Sequence, residues 1–183
     1  MEGLLIPGDK LGKVIISKEY IEAREARLVE AICRDHADAN PILMCVKEGA
    51  KYFFDDLCWL LEQKDFKFEK AWITTSSYSG NSSTGSVQVS DYQGPDMADR
   101  HVIIVEDIVD TGLTMSKLFD TIHAKSPNSI KLASLLYKPS RSEHKVKIDY
   151  LAFTIEDQFV IGYGLDYAGK YRELPLVAIY DGE

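Results

Sequence analysis

The chain has 183 residues, 45% of them hydrophobic, which is enough to bury a sizeable core, and by length it reads as one domain spanning 1–183. A formal net charge of -8 argues against a general nucleic-acid binder, which needs basic patches to displace phosphate counterions. Cys33, Cys45 and Cys58 form neither an even set nor a CxxC, the histidines at 36, 101, 123 and 144 lack zinc-ligand spacing, and no apolar run approaches the roughly 20 residues of a membrane span. Reduced core thiols, no membrane and, with nothing resembling a signal peptide at the start, a cytoplasmic address are the expectations.

In chain order, Ser17 is placed to cap a helix running to about Asp38, with Ile21, Leu28 and Ile32 on one side and Asn40-Pro41 ending it. The run ILMCV (42–46) reads as a strand and KEGAK as a turn. YFFDDLCWLLEQ (52–63) reads as a helix buried through Phe53, Leu57, Leu60 and Leu61. AWITT (71–75) is a further strand. Between Thr75 and His101 stand 25 residues, seven Ser and three Gly among them, a composition and length that suit a lid over about 76–100. Within it SVQVS (86–90) alternates like one arm of a flap, and SSYSGNSS suits its tip.

Val102-Ile103-Ile104-Val105 has the continuous β-branched character of a strand covered on both faces. Met115, Leu118, Phe119 and Ile122 follow at helical spacing. IKLASLLY (130–137) and DYLAFTI (149–155) are two more strands. Strands alternating with helices imply an α/β fold with a central, mainly parallel, twisted sheet flanked by helices. From about Phe159 the chain punctuates short apolar pieces with glycine, which predicts a small C-terminal hood over about 159–183.

Glu106, Asp107 and Asp110 crowd the crossing from the central strand to its helix. In open parallel sheets ligands bind where strand ends meet helix N-termini. Unpaired N–H groups at such a helix start make an anion site, Gly112 lets a ligand approach closely, and Thr111 and Thr114 add hydroxyls. Carboxylates beside a phosphate repel it unless they face sugar hydroxyls, a hard cation or a proton in transit. The pattern therefore points to a phosphorylated sugar with a metal. The same acids could serve only the helix dipole or belong to a P-loop ATPase, but no G-x-x-x-x-G-K-[ST] occurs.

VIIVEDIVDTGLT (102–114) closely resembles the 13-residue phosphoribosyl pyrophosphate signature of the type I phosphoribosyltransferases, and among them the hypoxanthine-guanine phosphoribosyltransferases. CVKEGA with FFDDL, SSY (76–78), LLYK (135–138), and FVIGYGLDY followed by YREL (159–174) resemble that family in the same order, so the likeness covers roughly 40–180.

The resemblance implies a Mg²⁺-dependent enzyme of purine salvage, in which a 6-oxopurine base displaces pyrophosphate from phosphoribosyl pyrophosphate. It implies that Glu106 and Asp107 hold the ribose hydroxyls and help place the metal, with Asp166 a further metal-holding aspartate beside the purine. Asp110 is the implied general base, and the backbone of Asp110, Thr111, Gly112, Leu113 and Thr114 wraps the 5-phosphate. Lys138 would donate to the purine O6, Phe159 stack on the base and Val160 read its edge, while Arg172 meets pyrophosphate. Ser77 and Tyr78 match the pair that folds over the site, and Lys47, Glu48 and Gly49 fall on a turn, often with a non-proline cis peptide, whose amides face pyrophosphate.

Without the likeness, Lys138, Asp166 and Arg172 would pass for surface charges and Phe159 for core. At the turn the sequence departs from its relatives, which commonly carry Leu followed by Lys or Asn where Lys47 and Glu48 stand. Lys47 is then a candidate to supply the displaced charge. The alternatives are a phosphoribosyltransferase for another base such as xanthine, or a non-catalytic regulator that senses phosphoribosyl pyrophosphate. Small-molecule partners and a homodimer or homotetramer are expected.

Overall fold

The computed structural model describes residues 11–77 and 87–182. A six-stranded sheet forms its centre, in the order β4-β3-β2-β5-β6-β7: β2 is Ile42–Lys47, β3 Glu69–Ser77, β4 Val87–Gln93, β5 His101–Val109, β6 Ser129–Tyr137 and β7 Tyr150–Thr154. β2, β3, β5, β6 and β7 run parallel and β4 pairs antiparallel to β3 at one edge. The helices are α1 (Lys18–Asp35), α2 (Lys51–Gln63) and α3 (Leu113–His123).

Alternation explains why the central strands are apolar throughout. Leu43, Cys45, Ile103 and Val105 pack on one side of the sheet with α1 and α2 through Ile21, Ile32, Phe53 and Leu57. Ile42, Met44, Val102 and Ile104 pack on the other with Met115, Leu118 and Ile122 of α3. Val102 to Val105 are wholly inaccessible, a contribution of about 1.5–3 kcal/mol per side chain from burial.

Several boundaries differ from the sequence reading. α1 stops at Asp35, three residues before Asp38, because Asp38 and Asn40 adopt left-handed backbone with φ of 61° and 43°. Ser17 sits at its N-cap, but its hydroxyl bonds Glu19 at 2.6 Å instead of capping the helix backbone. On α2 the inner face is Phe53, Phe54, Leu57, Cys58 and Leu61, and Leu60 lies only half-buried at its edge. The expected flap arm is β4, paired with the extended end of β3, so the 76–100 stretch is partly sheet. Most of the expected tip, including Tyr78, lies outside the described residues.

The hood is not C-terminal alone. A strand unforeseen in the sequence, β1 (Leu11–Ile16), pairs with β9 (Val177–Tyr180), which pairs with β8 (Val160–Ile161), making a three-stranded antiparallel sheet. Ile161, Tyr171, Leu174, Leu176 and Ala178 form its small core. Val160, Tyr163, Leu165 and Val177 join it to the main core. No helix among the described residues is long and apolar enough to cross a membrane.

Candidate active site

The connection from β2 through α2 leads to β3 on one side, and that from β5 through α3 leads to β6 on the other, so strand order reverses between β2 and β5. The loops that leave these two strands diverge there and open a crevice, which is where open parallel sheets bind ligands. Register sets the carboxyl ends level, with Cys45 beside Val105 and Val109 beside Tyr137. The turn after Lys47, the Asp110–Gly112 turn and Lys138 therefore share one edge.

Glu106 and Asp107 are still within β5, both half-buried, with their carboxyls in contact. Asp107 accepts the N–H of Ile108 at 2.7 Å. Oε2 of Glu106 is inaccessible and has no hydrogen-bond partner in the protein. Burial pushes both carboxyls above their ordinary values, Glu106 much the further because the Asp107 carboxylate beside it adds repulsion, while hydrogen bonds from Glu106 and the Ile108 N–H, and then Arg172, draw Asp107 back down. Such a pair, short of counter-charge, is poised to accept a cation or hydroxyl donors.

Gly49 is packed directly on Asp107: a Cβ there would stand 1.7 Å from Oδ2. The Lys47-Glu48 peptide bond is cis. Lys47 is half-buried and Glu48 is exposed, so the acidic side chain is turned to solvent. Gly112 caps α3 with φ of 83°, and a Cβ on it would lie 2.2 Å from the carbonyl oxygen of His144. That conformation and that closeness both require glycine. Leu113 N–H points at Thr111 Oγ1 at 3.4 Å, and Thr111 O accepts from Glu143 and His144, which pins the turn from outside. The first-turn N–H groups of α3, with Thr114 among them, lie at a helix start, the geometry that suits an anion.

On the other flank Lys138 is 8% exposed and its Nζ lies 3.5 Å from Asp157, so it is a held cation and not a solvated one. Phe159 is 55% exposed, which excludes the ordinary-core explanation, and the edges of Tyr167 and Tyr180 fix its ring. Val160 is buried in β8. Asp110 is paired with Arg141 at 3.1 Å. Arg172 donates to the carbonyl of Gly164 and pairs with Asp166 at 2.7 Å. Ser77 closes β3.

Among the described residues no three His, Cys, Asp or Glu side chains converge as a metal-ligating group. Asp166 is drawn to Arg172, an opposite charge at contact distance, and accepts the Gly169 N–H at 2.7 Å. Arg141 and Asp157 were missed, because a serine-flanked arginine and an acid ahead of Phe159 carry no spacing signal. Only the return of the chain after β6 brings them to Asp110 and Lys138.

A switch-point crevice with a buried acid pair on one wall and a glycine-capped helix start at its floor defines a sugar-phosphate-binding α/β protein. The model of the phosphoribosyl transferase domain family matches residues 17–168. A hypoxanthine-guanine-xanthine phosphoribosyltransferase of Tritrichomonas foetus is 38% identical over 93% of this chain and 92% of its own length. A hypoxanthine-guanine phosphoribosyltransferase of Streptococcus pneumoniae is 36% identical over 93% of this chain and 94% of its own. A crystal structure of a hypoxanthine phosphoribosyltransferase from Staphylococcus aureus superposes with a TM-score of 0.86 at 30% identity, covering 93% of this chain and 92% of that one. The chain belongs to the phosphoribosyltransferase family, in its hypoxanthine-guanine branch.

Proposed function

We propose that the protein transfers the phosphoribosyl group of phosphoribosyl pyrophosphate to hypoxanthine or guanine, releasing pyrophosphate, as a purine salvage enzyme. The observation that carries this reading is the Glu106–Asp107 pair at the switch point, one turn ahead of the α3 N-terminus. In this reading the N–H groups from Asp110 to Thr114 take the 5-phosphate. Asp107 and Glu106 take the ribose hydroxyls, Arg172 and the Lys47–Gly49 turn take pyrophosphate, and Asp110 accepts the purine N7 proton. Lys138 donates to O6, Phe159 stacks on the ring, and Val160 offers its backbone to the base edge. Ser77 and Tyr78 close over the site and exclude water.

The residues fit a magnesium ion. Glu106 Oε2 is a buried oxygen without a partner, and Mg²⁺ on a diphosphate needs only one or two protein carboxylates because the substrate's oxygens supply the rest. When bound it would neutralise charge on the leaving pyrophosphate. Glu106 and Asp107 would hold it, with Asp166 steering from beside Arg172. The chain acts as one phosphoribosyltransferase unit of sheet and hood. Free thiols at Cys33, Cys45 and Cys58 suit the cytoplasm, and exposed Tyr20 and Trp59 suit a homodimer or homotetramer.

The test is to incubate the protein with MgCl₂, phosphoribosyl pyrophosphate and hypoxanthine, guanine or xanthine in turn, following nucleotide by absorbance. IMP and GMP formation that chelator abolishes is expected; no nucleotide from any base would overturn the reading. Because the Tritrichomonas relative's name includes xanthine, the second reading is that xanthine is also accepted.

A further inference from the structure

Gly162, Tyr163 and Gly164, with φ of 99°, 49° and 96°, carry the chain from β8 toward the site in three consecutive left-handed steps. Glycine adopts this backbone freely and tyrosine does not, so something must hold Tyr163 there. Its buried side chain supplies the hold: the hydroxyl lies 2.5 Å from Glu25 Oε1 of α1 and 2.5 Å from Asp56 Oδ2 of α2. A phenol has one hydrogen and can satisfy one carboxylate. Two ionised carboxylates would leave one of them facing the phenol oxygen lone pair against lone pair, so the arrangement requires a second proton.

Asp56 is exposed and hydrated, whereas Glu25 is 2% exposed. The proton therefore sits on Glu25, which donates to Tyr163, which donates to Asp56. The other groups around this carboxyl agree. Lys18 and Glu22 come from α1, Tyr52 from α2 and Glu173 from the hood, and the one cation among these described residues, Lys18, pairs with Glu22 at 3.5 Å. Burial outweighs the opposing Tyr163 hydrogen bond and, with repulsion from Asp56 and Glu22, pushes Glu25 up to about 7.

One residue further on, Gly164 donates its N–H to the carbonyl of Arg172 at 2.9 Å and accepts from the Arg172 guanidinium. A Cβ on Gly164 would stand 2.0 Å from the carbonyl oxygen of Gly49. The backbone that Tyr163 anchors thus sets both Arg172 and the turn over Asp107. We propose that protonated Glu25 is a positioning residue, acting through Tyr163 on Arg172 and the Gly49 turn, so that affinity for the pyrophosphate donor falls when Glu25 ionises. This rests on the reading of the donor given above.

The test compares wild type with Glu25→Gln, whose amide still donates to Tyr163 but cannot ionise, in donor KM, base KM and kcat from pH 5.5 to 9. The ratio of wild-type to variant donor KM should rise about fivefold or more across neutral pH, in the range of ordinary coupling between sites, with base KM and kcat ratios flat. Carboxyl and amide NMR give a readout independent of turnover. The Glu25 carbon should titrate near 7, and the Gly164 and Arg172 amides should move with the same midpoint in wild type and stay still in the variant. Should Glu25→Gln not fold, Tyr163→Phe takes its place and should show a raised donor KM that no longer follows Glu25. A Glu25 carbon that titrates near 4.5, or parallel donor profiles in variant and wild type, would overturn the proposal. Absence of nucleotide with every base would overturn the donor reading instead, while the NMR titration would still decide where the proton lies.

Discussion

Gly49→Ala sets one methyl group against one carboxyl. The added Cβ would lie 1.7 Å from Asp107 Oδ2 and 2.6 Å from its Cγ, and Gly49 is not among the residues with positive φ, so the backbone accepts alanine and the cost falls on Asp107. That carboxyl can turn aside, but it then gives up the Ile108 N–H now at 2.7 Å. A hydrogen bond to a charged acceptor contributes about 1.5–3 kcal/mol. A loss of about 2 kcal/mol lowers Tm by about 4–8 °C for a chain of this size. The same rotation takes Asp107 off the donor's ribose. A comparable loss of binding raises donor KM about 30-fold. Base KM at saturating donor should stay within about twofold, because Lys138 follows β6 and Phe159 precedes β8, away from the Gly49 turn, and the energies of separated sites add. Calorimetry and initial rates with donor varied are the assays. A native donor KM in a folded variant would refute the placing of Asp107 on the donor, and a native Tm would refute the forced rotation.

Asp110→Asn should fold normally, since Asp110 is a partly exposed partner of Arg141, yet turn over about 10²- to 10⁴-fold more slowly. Wild-type kcat in that variant would remove it as the base. Glu106→Gln separates stability from function. The folded-state value of Glu106 is raised, so the stability it contributes is complete below its unfolded value near 4.5 and is lost as pH climbs toward the folded one. Urea unfolding at pH 4 and pH 8 should therefore show the variant gaining on wild type only at the higher pH, while donor binding weakens; equal gains at both would count against a buried charged pair. Lys47→Ala should raise donor KM with base KM unchanged, and an unchanged donor KM would show that the half-buried lysine does not replace the charge missing at Glu48.

Legibility differed between parts of the molecule for identifiable reasons. β2, β5 and β6 were readable because a strand covered on both faces has no polar alternation, so Ile42–Val46, Val102–Val105 and Leu132–Leu136 declare themselves locally. β1 was not, because LGKVII is a short edge strand with two exposed residues and its partner is β9, at the far end of the chain. The acid pair was visible as a motif, but its raised titration was not, since that follows from burial among neighbouring strands. Lys138 looked like any terminal lysine until Asp157 and its low exposure showed it to be held. Arg141 and Asp157 escaped altogether, as contacts between residues 31 and 19 positions apart leave no periodic trace.

The order of strands and helices, the helix start at Gly112 and the clustering of Glu106, Asp107 and Asp110 at the strand-to-helix crossing were decided by local chemistry: side-chain periodicity, turn residues and the donors at a helix end act within a few residues of themselves. Which strands became neighbours, that Gly49 would press on Asp107, that an N-terminal strand would complete the hood and that one phenol would be caught between Glu25 and Asp56 were decided only when the sheet closed. Those outcomes depend on distances between segments far apart in the chain, and on the removal of water from between them, neither of which any single stretch of residues determines.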